Sequence, residues 1–187
     1  MHLHWVAGFI NYDELAGLKK KVVWTLHDMN PFTGGCHYAG DCEQFLNSCV
    51  FCPQLEGTGH EKMVQYFFKK KLKSYSSISP VLVAPSQYLF SRVKQSNLFS
   101  DKECRYITNG IDETIFKPRS KNEARSRLGL PLEKKIILFV SDSLENKRKG
   151  FNLLMEALRS MSDSNLLLCA IGKTKEVSTE QIVFFGF

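Results

Sequence analysis

His27 and Asp28 stand directly after Val22, Val23, Trp24, Thr25 and Leu26, a β-branched and aromatic run of the kind that forms an interior strand. Ligands of open α/β sheets bind outside the carboxyl ends of the strands. A histidine there can donate to a phosphate or a sugar hydroxyl, or serve structure alone. Downstream, Cys36-x5-Cys42-x6-Cys49-x2-Cys52 gathers four of the six cysteines into one stretch. Four thiolates satisfy a tetrahedral zinc, and a Cys-x2-Cys pair lets one tight turn present two sulfurs. Such a zinc would be structural, because no coordination position stays open. The alternative is four reduced or partly disulfide-linked cysteines bracing the loop. A redox pair at Cys49 and Cys52 lacks the strand-to-helix setting of thioredoxin-like proteins.

Two further stretches stand out. Residues 141–150 form a polar loop between a strand and a helix and hold Lys147, Arg148, Lys149 and Gly150. A helix N-terminus offers free N–H groups and the positive dipole end, and cations beside it complete a phosphate site. The other reading is a solvated basic loop. Asn109-Gly110-Ile111-Asp112, followed by Phe116-Lys117-Pro118, is a turn with a rigid exit, and alone it is architectural.

The elements that must position these residues alternate. Strands are expected at 3–6, 21–26, 80–85, 104–107, 135–140, 166–171 and 182–185. Helices are expected at 12–18, at 62–75, after Ser86 as N-cap, and through Leu153, Leu154, Ala157 and Leu158. Strands alternating with helices imply parallel sheets in an α/β fold. The polar stretch 117–126 reads as a linker, giving a first domain at 1–118, with a Cys-rich loop at 31–60, and a second at 119–187.

Hydrophobic residues make up 43% of the chain, enough to build a core. The formal net charge of +6 is concentrated in Lys19 to Lys21 and in Lys69, Lys70, Lys71 and Lys73. Such runs form solvated faces or meet phosphate or anionic lipid. No nucleic-acid-binding motif accompanies them, so nucleic acid is set aside as a partner. No secretory signal opens the chain, and no apolar run reaches the roughly 20 residues of a membrane span. The expectation is a cytoplasmic protein with largely reduced cysteines.

Taken together, the motifs resemble family-4 glycosyltransferases of the GT-B fold. Residues Trp24 to Met29, then Pro31 to Tyr38, then Gly40-Asp41-Cys42 and Cys49-x2-Cys52-Pro53, are similar to a subgroup used in bacterial exopolysaccharide and lipopolysaccharide synthesis. Ala84-Pro85-Ser86, Asn109-Gly110-Ile111-Asp112-x3-Phe116-x-Pro118 and Arg148-Lys149-Gly150 resemble its strand-to-helix step, domain junction and donor-diphosphate motif, in order. The resemblance implies portions of two Rossmann-like domains with the active site in the cleft. The first domain would hold a glycan or lipid-linked acceptor and the second a nucleotide-sugar donor. His27 would face the transferred sugar. Lys149 with Arg148 would neutralise the leaving diphosphate, Gly150 would shape that turn, and Asn109, Gly110 and Asp112 would form the junction. Transfer would retain configuration and need no metal for the chemistry. The basic, aromatic stretch 66–71 could rest on an anionic membrane.

The sequence departs from that pattern in places. Ser141-Asp142-Ser143-Leu144 stands where many relatives carry Gly-Arg-Leu, and Asn30 stands where an aromatic residue is expected. The family's first domain begins well upstream of this stretch, and its second runs on into a Glu-x7-Glu segment. The expectation is therefore a chain that spans the junction, self-associates and is inactive alone. Rival readings are a non-catalytic remnant, half of a split enzyme, or a zinc-stabilised binding module.

Overall fold

Trp24 organises the first half of the protein. It is fully buried, with its ring edge-on to Tyr75 at 5.9 Å and to Phe99 at 6.0 Å, while Tyr75 and Phe99 stack at 4.9 Å. Burial of each such ring contributes about 2 kcal/mol, and the edge contacts add roughly 0.5–1.5 kcal/mol. The computed structural model describes residues 1–17, 19–161, 163–175, 178–179 and 181–185. Two units divide the chain, Met1–Asp112 and Glu113–Phe187, and both are parallel α/β units, as the alternation implies.

In the first unit, β1 (His2–Leu3), β2 (Val23–Thr25), β3 (Val81–Ala84) and β4 (Cys104–Tyr106) lie side by side in that order, all parallel. Helices α1 (Tyr12–Gly17), α2 (Met63–Tyr75) and α3 (Gln87–Gln95) connect them. Ser86 caps α3 as expected, its hydroxyl accepting from the Leu89 N–H at 3.2 Å. Strand β1 is shorter than the 3–6 expected, because His4 and Trp5 leave the ladder to bond the end of β2. The long loop after β2 is built from short 3-10 turns at Asn30–Phe32, Gln44–Leu46 and Pro53–Leu55. Buried Phe32 and Phe45 meet at 5.9 Å and tie this loop to the core.

In the second unit, β5 (Lys135–Ser143), β6 (Leu166–Lys173) and β7 (Ile182–Phe185) are parallel in chain order, with α4 (Lys121–Arg127) before them and α5 (Phe151–Ser160) between β5 and β6. Phe151 packs on Phe139 at 5.1 Å and beside Leu168 and Ala170. The opposite face of β5 exposes Leu138 and Val140, each 61% accessible.

Two expectations are corrected here. The stretch read as a linker runs into α4, which has no buried residue. It lacks an apolar stripe, so periodicity gives no sign of it, and its start rests on Ser120 accepting from the Glu123 N–H. Ser141 to Ser143, read as loop, extend β5 past a register shift, with Ser143 paired to Lys173. Cross-strand pairing carries that polar end rather than any pattern of its own. Among the described residues no helix is long and apolar enough to cross a membrane.

Candidate active site

The parallel pairing of β1 and β2, with Leu3 opposite Trp24, brings the residues after both strands together. His2 Nε2 lies 2.8 Å from Thr25 Oγ1. Trp24 donates its indole N–H to the His4 carbonyl at 3.0 Å. His4 Nδ1 and His27 Nε2 share a hydrogen bond of 3.0 Å. Trp5 donates its indole N–H to Asp28 Oδ2, also at 3.0 Å. Within three residues of each strand end the two segments are thus stitched four times. His27 and His4 remain exposed, lining a shallow recess with Trp5, Asp28 and Pro31.

Asp28 is the buried anchor of this arrangement. Besides Trp5 it accepts from the Asn30 N–H at 2.8 Å and faces His37 Nδ1 at 2.7 Å. Its carboxylate is 8% exposed while His37 is 40% exposed. A buried carboxylate with several donors is a rigid support for the residue before it. Beneath lies Lys71, 1% exposed, donating to the carbonyls of Asn30 and Thr33. Burial lowers its pKa to about 8, against the opposing pull of Cys36, Cys49 and Asp28.

The four loop cysteines are free thiols, packed on the same core, with Cys49 buried and Cys36, Cys42 and Cys52 partly so. They lie near enough for Cys36 to feel Cys52 and Cys42, and for Cys49 to feel Cys36 and Cys42. Burial pushes the Cys49 thiol up to about 11 and raises that of Cys36. Among the described residues, no three His, Cys, Asp or Glu side chains stand in a ready-made metal-ligand group.

In the second unit Lys147–Lys149 form a 3-10 turn, with the Asn146 side chain accepting from the Arg148 N–H at 3.2 Å. Gly150 ends the turn at φ 80° and opens α5, which has no side-chain cap. Lys147, Arg148 and Lys149 are exposed. Lys149 adds to the lowering of the Asp142 pKa, which comes first from the Ser141 hydroxyl. The turn thus places cations at an open helix start, the arrangement that accepts phosphate. Asn109 and Gly110 are exposed in the coil that closes the first unit, and Asp112 is its last residue.

Sequence reasoning singled out His27 but missed His4, Trp5, His37 and Lys71. A signal for His4 existed. His2 and His4 alternate at strand spacing, which puts both on one face. Lys71 was hidden among four clustered lysines.

No protein-family model matches the chain. It is similar to a putative colanic acid biosynthesis glycosyl transferase, WcaC, of Escherichia coli (strain K12), at 29% identity. The similarity covers 89% of this chain and 41% of that protein, so the chain spans about two fifths of its relative's length.

Proposed function

We propose that this chain acts within a glycosyltransferase that moves a sugar, with retention, from a nucleotide-sugar donor to a glycan or lipid-linked acceptor in cell-surface polysaccharide synthesis. The observation that most supports this reading is His27. It is held at the carboxyl end of β2 by His4 and backed by buried Asp28, where a parallel sheet receives ligands. The similarity to a glycosyl transferase along 89% of the chain points the same way.

In this reading His27 bonds the transferred sugar or its phosphate. Lys149 and Arg148 meet the diphosphate at the start of α5 and neutralise the charge that develops as it leaves. The chemistry takes no cofactor. The loop cysteines brace the loop that follows His27 and Asp28. The exposed side of α2, with Tyr66 at 64% and Phe67 at 39% accessible beside exposed Lys69 and Lys73, suits a peripheral contact with anionic lipid on the cytoplasmic side.

Calorimetric titration with a panel of nucleoside-diphosphate sugars tests the reading. At least one should bind saturably. Lys149→Ala should weaken it roughly 10–100-fold, the worth of one charged hydrogen bond. His27→Ala should weaken the nucleotide sugar, and the free nucleoside diphosphate as well only if His27 bonds the phosphate. If no nucleotide sugar binds, the proposal is wrong.

A further inference from the structure

We propose that His4 is the positioning residue of His27, fixing which imidazole nitrogen His27 turns outward and whether that nitrogen donates or accepts. This deepens the glycosyltransferase reading and rests on it for the direction of the bond between the two histidines.

One hydrogen bond joins Nδ1 of His4 to Nε2 of His27, at 3.0 Å. Two neutral imidazoles so placed share a single proton, and the nitrogen not in the bond takes the complementary role. If His4 donates, His27 carries its own proton on Nδ1 and presents a donor. If His27 donates, its Nδ1 is bare. The proposed ligand at this place, a phosphate or an electron-rich sugar oxygen, needs a donor, since phosphate oxygens only accept. The 3.0 Å contact fits either sense, and the ligand's need for a donor selects His4 Nδ1–H donating, with His27 holding its proton on Nδ1.

His4 is built to impose this. The buried Trp24 indole pins its carbonyl at 3.0 Å. The His2 ring lies 4.3 Å from its ring, and His2 is itself held to Thr25 Oγ1 at 2.8 Å. Trp5, the next residue, is bonded to Asp28, the residue after His27. The backbone at both partners of the His4–His27 bond is thus held by neighbouring residues, and the His2 ring packs against that of His4.

Long-range proton–nitrogen NMR on protein with labelled histidines reads the tautomer directly, at a pH where the imidazoles are neutral and with no ligand. A histidine in water prefers its proton on Nε2. The expected result is His27 with Nδ1 protonated in the unaltered protein and with Nε2 protonated in His4→Ala. In His4→Asn, whose amide can donate from nearly the place of Nδ1, the native state should return. Finding His27 with Nε2 protonated in the unaltered protein overturns the proposal, and this spectrum needs no variant to fold. An unchanged tautomer in a folded His4→Ala overturns it too. Nucleotide-sugar binding is measured separately, so failure of the glycosyltransferase reading and failure of the tautomer assignment are told apart.

Discussion

The ammonium of Lys71 donates to the carbonyl oxygen of Thr33 at 2.9 Å from a position almost wholly shut off from water. It also bonds the Asn30 carbonyl and lies 5.1 Å from the centre of the Tyr12 ring. The charge thus closes the 3-10 turn that follows His27 and Asp28. Holding a cation there costs stability, which is why its pKa falls from 10.5 to about 8.

A pH dependence follows. Below about 8 Lys71 is charged in both states. Between about 8 and 10.5 the unfolded chain holds a proton that the folded chain has lost. Stability from this group therefore rises with pH through that window. Cys49, raised from 9.0 to about 11, acts oppositely, because the folded protein keeps its proton while the unfolded chain releases it. The comparison that isolates Lys71 is with Lys71→Met. Urea midpoints at two pH values, roughly 7.5 and 9, should give the unaltered protein about 1 kcal/mol more gain than the variant. Equal slopes would show that the ammonium is not buried as described.

Gly34 makes a second prediction. A Cβ built there would sit 2.7 Å from the Val64 carbonyl oxygen and 2.8 Å from the Cβ atoms of Cys49 and Val64. None of these is the tip of a flexible chain, so the loop would have to back away from α2. Gly34→Ala should cost about 1–3 kcal/mol by overpacking. It should also disturb the Gly34 N–H bond to Cys49 Sγ, 3.2 Å long. At neighbouring Gly35 a Cβ meets nothing within 4 Å, and φ is 151°, so an alanine there meets backbone strain alone. Thermal unfolding of both variants tests the contrast. If Gly34→Ala melts with the unaltered protein, the close approach is not real.

The legible parts of the fold were those in which one segment carries its own pattern. Val81–Ala84 and Ile182–Phe185 read as strands because each is a short apolar run. Met63–Tyr75 reads as a helix from Met63, Tyr66, Phe67 and the lysine cluster, yet those three apolar residues are exposed and the buried face is that of Val64, Phe68 and Tyr75; Ser86 announces α3 by its capping chemistry. The illegible parts depend on a partner elsewhere. The polar end of β5 exists through Lys173 on β6. The pairing of His4 with His27 bridges 23 residues, and only the register of β1 against β2 creates it. Lys71 looked like one cation in a solvated run, yet helix spacing turns it inward while Lys69 and Lys73 face out.

The cysteine stretch gives a third prediction. Cys49 is buried, its Sγ accepts from the Gly34 N–H, and its pKa of about 11 keeps it a thiol near neutral pH. The thiolate is the reactive form, so burial and protonation both slow attack. Cys42 and Cys52 are only partly buried. A disulfide reagent at mildly alkaline pH should modify these first and Cys49 much later, at a rate that rises when urea opens the loop. The same sample can be analysed for metal. Zinc binding to these sulfurs would require their deprotonation against the burial that now raises Cys36 and Cys49. The expected outcome is ordered labelling of free thiols. One zinc per chain, with all four thiols protected until a chelator is added, would show instead that the loop closes further, drawing its sulfurs onto a cation whose charge offsets their desolvation.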